Sequence, residues 1–147
     1  MDVGVLGVGA MGRNHVRVYS ELKGVDTVYV YDPLPENAEK AGEYASICAS
    51  LEELLERVEA VSICVPTRYH FETAKKVIQA GINCLIEKPI TLTAEEGSRL
   101  LDIIEKSNLV VGVGHIERFN PIVSEMAKIA KRPAYVSIKR HNPTSSR

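Results

Sequence analysis

The 147 residues lack an excess of either charge: 18 Lys and Arg stand against 19 Asp and Glu, for a net charge of -1. A chain so balanced offers no broad basic field to a nucleic-acid backbone, and a small anionic ligand has to be met by local backbone donors. Cysteine is scarce. Cys48, Cys64 and Cys84 lie far apart with no C-x-x-C pair, which argues against a metal site or disulfide framework and for small buried hydrophobes in a reducing cytosol. No apolar run reaches the ~20 residues of a membrane span. Met1-Asp2-Val3-Gly4-Val5 enters an apolar segment with no basic leader or cleavage site. The expected location is therefore cytoplasmic, with neither membrane nor nucleic acid as partner. Solenoid-period repeats and low-complexity tracts are missing as well.

What the chain does have is enough apolar material, 45% of its residues, for one substantial core. Strand-like and helix-like segments alternate. Strand candidates fall at 2–6, 27–31, 60–65, 82–86, 109–113 and 134–139, with a short one near 46–48. Runs such as Val61-Ser62-Ile63-Cys64-Val65 are apolar almost throughout, as strands covered on both faces are. Met11, His15, Val18, Tyr19 and Leu22 recur at helical spacing and predict one inward stripe. Ser50-Leu51-Glu52-Glu53 and Thr93-Ala94-Glu95-Glu96 match the capping box, Pro35 suits a first helical position, and Gly81 suits the stop of a helix over 71–80. Asn120-Pro121 opens another helix. The polar end, 142–147, carries no helix to cover the last strand candidate. Alternation of this kind predicts βαβ units and an α/β, doubly wound parallel sheet.

The first strand candidate runs into Gly7-Val8-Gly9-Ala10-Met11-Gly12, a G-x-G-x-x-G. Glycines align by chance, and a plain turn is the alternative; a strand before and an amphipathic helix after favour a phosphate loop. Gly7 permits the tight turn, Gly9 lets the main chain approach a pyrophosphate, and Gly12 allows close helix–strand packing. The ligand's charge then meets the free N–H groups and positive end of the helix. Asp32 ends the second strand candidate, twenty positions after Gly12. An acidic side chain there accepts hydrogen bonds from the adenosine ribose and repels a 2′-phosphate, so NAD is expected over NADP. The following Pro33, Leu34 and Pro35 supply no neutralising cation. Capping the turn before Pro33 is a second job for the same carboxylate.

In open parallel sheets ligands bind beyond the carboxyl ends of the strands. Three clusters fall there: Pro66-Thr67-Arg68-Tyr69-His70, Glu87-Lys88-Pro89, and Gly114-His115-Ile116-Glu117-Arg118-Phe119-Asn120-Pro121. Pro89 holds Lys88 in an extended backbone, and a tight turn at that place suits a cis bond. A lysine held beside a hydride acceptor can polarise a substrate hydroxyl or carry its proton; the alternative is an ordinary surface lysine. Glu87 could orient Lys88, bond a ribose, or simply be solvated. His70 reads as a helix-start cap or packed ring before a catalyst. His115 and Arg118 could face a substrate or serve the turn into the helix over 120–128.

In order and spacing, Gly7-x-Gly9-x-x-Gly12, Val65-Pro66-Thr67 with His70, and Glu87-Lys88-Pro89 resemble the glucose–fructose oxidoreductase / inositol dehydrogenase / MocA family, over essentially the whole chain. The run from Gly114 to Pro121 is similar to a nucleotide-sugar subgroup, the UDP-N-acetylglucosamine-type 3-dehydrogenases. The resemblance implies a Rossmann domain over 1–120 and hydride transfer between a sugar, nucleotide-sugar or polyol carbinol and NAD. It implies that Lys88 assists proton movement and that Gly7, Gly9, Ala10, Met11, Gly12 and Asp32 hold the cofactor. Glu87 and Pro89 would then shape the nicotinamide side, and Pro66, Thr67 and His70 would line the cofactor. His115, Arg118 and Asn120 would border the substrate; no metal is implied. Family members continue into a substrate domain that closes the cleft, carries an Asp-x-x-x-His motif and mediates oligomer formation. Residues 121–147 hold only a helix and a strand leading into such a domain, so the chain reads as a truncated half that binds cofactor with little turnover, its parent a homo-oligomer.

Two other readings compete with this one. Tyr135-x-x-x-Lys139 matches a short-chain dehydrogenase motif, but that pair works on a helix, and Val136-Ser137-Ile138 alternates as a strand does. A non-catalytic NAD-binding sensor or scaffold shares the fold; a proton-handling lysine at the strand end favours an enzyme.

Overall fold

The computed structural model describes residues 1–132, 134–137 and 139; the polar end at 142–147 lies outside them. Strands and helices alternate as β1 (Val3–Leu6), α1 (Ala10–Glu21), β2 (Val28–Tyr31), α2 (Pro35–Glu39), β3 (Ser46–Ile47), α3 (Leu51–Leu55), β4 (Ala60–Ile63), α4 (His70–Gln79), β5 (Asn83–Ile86), α5 (Ala94–Glu105), β6 (Val111–Val113) and α6 (Pro121–Ile129). The six strands form one sheet in the order β3-β2-β1-β4-β5-β6, every pair parallel. The chain winds outward from β1 in one direction and from β4 in the other. That reversal between β1 and β4 is the Rossmann switch point, where a crevice opens beyond the strand ends.

Local chemistry sets the helix limits. Thr93 Oγ1 accepts from the Glu96 N–H while the Glu96 carboxylate accepts from the Thr93 N–H, a complete capping box at the head of α5. At α3, Ser50 Oγ accepts from the Glu53 N–H at 3.0 Å, but the Glu53 carboxylate reaches one residue further back, to the Ala49 N–H at 2.7 Å. Pro35 opens α2. Gly81, at φ +79°, follows the end of α4 in a conformation that a Cβ disfavours.

The central strands are covered on both faces. On one, Leu6, Val61, Ile63, Cys84 and Ile86 pack with Leu54, Phe71, Ala74, Val77, Ile78 and Leu100 from α3, α4 and α5. On the other, Val3, Val5, Val28 and Val30 pack with Val16 of α1 and Ala38 of α2. The inward stripe expected of α1 is corrected here: Met11, Val18 and Leu22 are 39%, 43% and 49% exposed, while Gly12 and Val16 are buried and His15 and Tyr19 half-buried. The cause is Gly12. A Cβ on it would lie 1.9 Å from the Gly7 carbonyl oxygen, so the helix rests on the loop at that residue. Its rotation then turns positions 15, 16 and 19 inward.

Residues Met1–His115 form one compact unit and a second begins at Ile116. Within the second, Asn120 caps α6, its Oδ1 accepting from the Ile122 N–H at 3.1 Å, and Pro121 takes the first turn. The strand expected at 134–139 is not formed by its described residues. Ala134–Ser137 and Lys139 carry no strand, Ile138 lies outside the described residues, and Tyr135 is 84% exposed. Alternation marks a segment able to pair, but a strand exists only where a neighbour completes its ladder. Among the described residues no helix is long and apolar enough to cross a membrane.

Candidate functional site

The ladder continues one step past several strands, and these steps place the site. Gly7 N–H donates to Tyr31 O at 2.9 Å, Glu87 N–H to Ile63 O at 3.0 Å, and Gly114 N–H to Ile86 O at 2.8 Å. Each residue is thus anchored to a neighbouring strand at the carboxyl edge of the sheet.

On the β1–β2 side the loop is main chain. Gly7 sits at φ +85°, and a Cβ there would come within 2.7 Å of Val65 N, so only glycine fits between β1 and the chain leaving β4. Gly9 faces open space: nothing lies within 4 Å of its would-be Cβ. It is the N-cap of α1 and supplies no side chain, leaving the helix's first N–H groups to an outside acceptor. Ala10 and Met11 are exposed beside it and Gly12 is buried. Asp32 closes this side. Its Oδ2 accepts from the Val8 N–H at 2.7 Å and its Oδ1 from the Leu34 N–H at 2.9 Å, so the carboxylate is tied to the glycine loop and to its own turn at once. Oδ1 also accepts from the Asn37 side-chain amide at 3.4 Å, so it is Oδ2 that keeps a lone pair for another donor. Beyond it lies an open depression of about 300 Å³ bordered by Tyr31, Pro33, Ile47, Cys48 and Ala49. A diphosphate at Gly9, a ribose at Asp32 and a flat ring in this depression fit the groups present.

On the β4–β5 side the groups are side chains. Glu87 is only 6% exposed, and a carboxylate taken out of water costs roughly several kcal/mol unless donors replace the solvent. Two do: His15 Nε2 lies 3.0 Å from Oε1, and the Lys88 N–H donates to Oε2 at 3.2 Å. His15 Nδ1 in turn lies 3.0 Å from Ser62 Oγ, and Ser62 Oγ lies 2.6 Å from the Tyr19 hydroxyl. Glu87, as a carboxylate, only accepts, so His15 donates from Nε2. In a neutral ring Nδ1 then accepts from Ser62, and Ser62 accepts from Tyr19. Burial pushes the Tyr19 phenol above its ordinary value, the Ser62 hydrogen bond pulling the other way. Gly114 makes room: a Cβ there would lie 2.9 Å from Glu87 Oε1.

Lys88 stands exposed at the turn between this network and Pro89, across a cis peptide bond. Under the turn lies His70, 1% exposed, with Nδ1 2.8 Å from Pro89 O and Nε2 2.8 Å from Val65 O. Its ring is thereby engaged by main-chain carbonyls of the segments that follow β4 and β5. Pro66 precedes a 3-10 turn over Thr67–Tyr69, its carbonyl accepting from the Tyr69 N–H at 2.8 Å, with Pro66 exposed and Thr67 half-buried. His115 is exposed just after β6. Arg118 and Asn120 belong to the second unit, where the Asn120 amide donates to Glu117 at 2.9 Å. The three cysteines are unpaired, and burial raises all three thiols, Cys64 to about 12 and Cys84 to about 11.

Sequence reasoning did not single out His15, Tyr19, Ser62 or Gly114 for the site. A signal existed for one of them: a histidine on the inward face of a helix that begins at a phosphate loop needs a polar partner in the sheet. The partner's identity required the register, which sets Ser62 opposite Val5 and Leu85, on the face covered by α1.

The fold has counterparts among known proteins. The chain is 37% identical to the UDP-N-acetylglucosamine 3-dehydrogenase of Acidithiobacillus ferrooxidans over 153 aligned positions, covering all of this chain and 47% of that protein. The solved structure of that dehydrogenase superposes with a TM-score of 0.78 over 88% of this chain and 42% of its own. The scyllo-inositol 2-dehydrogenase (NAD(+)) of Bacillus subtilis is 31% identical over 82% of this chain and 37% of its own length. The chain therefore spans under half the length of these relatives. Residues 1–115 match the model of the oxidoreductase family with an NAD-binding Rossmann fold, and the chain belongs to that glucose–fructose oxidoreductase / inositol dehydrogenase / MocA family.

Proposed function

We propose that this chain is the cofactor-binding part of an NAD-dependent dehydrogenase that oxidises a carbinol of a sugar or nucleotide sugar, or runs that reaction in reverse. The observation that carries the reading is the Asp32 carboxylate, one strand over from the open Gly9 loop and hydrogen-bonded to it through Val8. A ribose next to a diphosphate suits that geometry, and the carboxylate would oppose a 2′-phosphate. Pro66 and Thr67 border the cofactor beyond β4, and Glu87 and Pro89 hold the turn on its nicotinamide side. Bound NAD supplies the hydride acceptor. Lys88, exposed at the end of β5, takes up or returns the hydroxyl proton at its Nζ. The names of the relatives, a nucleotide-sugar dehydrogenase and inositol dehydrogenases, favour a ring carbinol as substrate. His115, exposed just after β6, is assigned to its border. The 147 residues bind cofactor but turn substrate over poorly, a reading supported by their spanning under half the length of these relatives, with the rest of the cleft and the subunit contacts assigned to a further domain.

Calorimetric titration tests this. NAD should bind at least about tenfold more tightly than NADP, the scale of a like charge set against a phosphate; tighter binding of NADP overturns the assignment. Efficient oxidation of free sugars or nucleotide sugars by the 147 residues alone would overturn the division of labour.

A further inference from the structure

The helix that begins at the phosphate loop and the turn that carries Lys88 are separated by β4 in the sheet, yet one side chain joins them. His15 lies on the inward face of α1 one turn beyond Gly12, passes over Ser62 of β4, and meets Glu87 just past β5. Glu87 divides its oxygens, Oε1 to His15 and Oε2 to the Lys88 N–H. Both partners are sheltered, with side chains 15% and 8% exposed, so water cannot readily stand in for either. Space is reserved on the far side as well, since a Cβ at Gly114 would press on Oε1. Ser62 and Tyr19 fix the second ring nitrogen and so set the plane of the imidazole. A surface pair would show none of this enclosure, and a pair serving stability alone is often replaceable by apolar packing.

We propose that His15 is a positioning residue for the Glu87-Lys88-Pro89 turn. It keeps that turn in register with the helix that receives the diphosphate, and so acts on the nicotinamide half of the dinucleotide without touching the adenine half. The inference rests on the dinucleotide reading above. It has a consequence that general damage to the scaffold lacks. ADP-ribose fills the diphosphate and adenine positions but has no nicotinamide, so losing the His15–Glu87 link should weaken NADH and spare ADP-ribose.

The experiment measures dissociation constants for NADH and ADP-ribose with the unaltered chain, His15→Leu, His15→Gln and Glu87→Gln, with circular dichroism and thermal unfolding on each. His15→Leu should lose about tenfold in NADH affinity, the worth of one sheltered charge-assisted hydrogen bond, and less than about twofold in ADP-ribose affinity. His15→Gln, whose amide nitrogen can stand near Nε2 and donate to Glu87, should recover most of the loss. Glu87→Gln keeps the volume and should reproduce the selective defect if His15→Leu does not fold. Equal weakening of both ligands, no weakening of either, or failure of His15→Gln to recover NADH binding would overturn the proposal. Failure of the unaltered chain to bind ADP-ribose would instead bring down the dinucleotide reading itself, and this inference with it.

Discussion

On the β1–β2 side of the cleft the groups offered to a ligand are main-chain N–H groups exposed by glycines, with a single carboxylate beside them. On the β4–β5 side they are side chains that hold one another: Tyr19, Ser62, His15 and Glu87 in one file, and His70 beneath the Lys88 turn. A main-chain site depends on what is absent, namely the Cβ atoms of Gly7, Gly9 and Gly12. A side-chain site depends on what its neighbours donate and accept. The first kind should fail abruptly on any substitution that adds atoms; the second should fail by degrees, with partial rescue by isosteres.

The sharpest break is expected at Gly12→Val. Its Cβ would fall on the Gly7 carbonyl, a backbone atom that cannot swing aside, so urea unfolding should show a loss of about 3 kcal/mol and titration no cofactor binding. A loss within experimental error would refute the close contact. Lys88→Ala comes next and divides binding from chemistry. In a chain of its relatives' length, turnover should fall by at least about a hundredfold, while NAD affinity in these 147 residues stays within about threefold; unchanged turnover removes Lys88 from the mechanism. Asp32→Ser should weaken NAD by roughly tenfold or more, since a charged acceptor and the tether to Val8 go together, and should narrow the preference over NADP. A preference that stays the same would locate discrimination elsewhere. Gly114→Ala is milder, because the atom it meets first is the end of a side chain. About 1 kcal/mol of stability should be lost, with NADH affected before ADP-ribose.

Smallest of all should be the response of the cysteines, which lie outside both halves of the contrast. Burial raises Cys64 to about 12 and Cys84 to about 11 from the ordinary 9.0. The folded chain therefore keeps protons that the unfolded chain releases. These thiols leave stability untouched below about pH 9 and lower it as pH climbs from there toward the folded values. Iodoacetamide at about pH 8 should modify Cys64 and Cys84 more slowly in the native chain than in urea. Rapid native alkylation would show a thiol more open than the structure allows.

The same contrast governs how much could be read before the fold was known. Gly7, Gly9, Gly12 and Asp32 were legible because a phosphate turn is a local object: strand, loop and helix are contiguous, and each glycine has its own steric reason. Six strand candidates correspond to β1–β6, since apolar runs bounded by turns need no knowledge of partners. The cap at Thr93, the proline of α2 and the stop at Gly81 are equally local. Alternation at 134–139 predicts a strand that its described residues do not form, because pairing is not local. The stripe on α1 was misjudged because apolar spacing alone did not reveal that Gly12, resting on Gly7, sets the helix rotation. Helical spacing alone thus places His15 among packing residues, whereas in the structure it is the polar bridge between Ser62 and Glu87.

By itself the order of residues determined the alternating elements, the phosphate loop and the acidic residue at the end of β2, because backbone sterics and short-range hydrogen bonding act between chain neighbours. Only the tertiary structure decided that His15 meets Glu87, 72 positions away, that Gly114 clears space for that carboxylate, and that His70 underlies the lysine turn. These groups come together through strand order and register, and strand pairing is settled by the whole sheet at once.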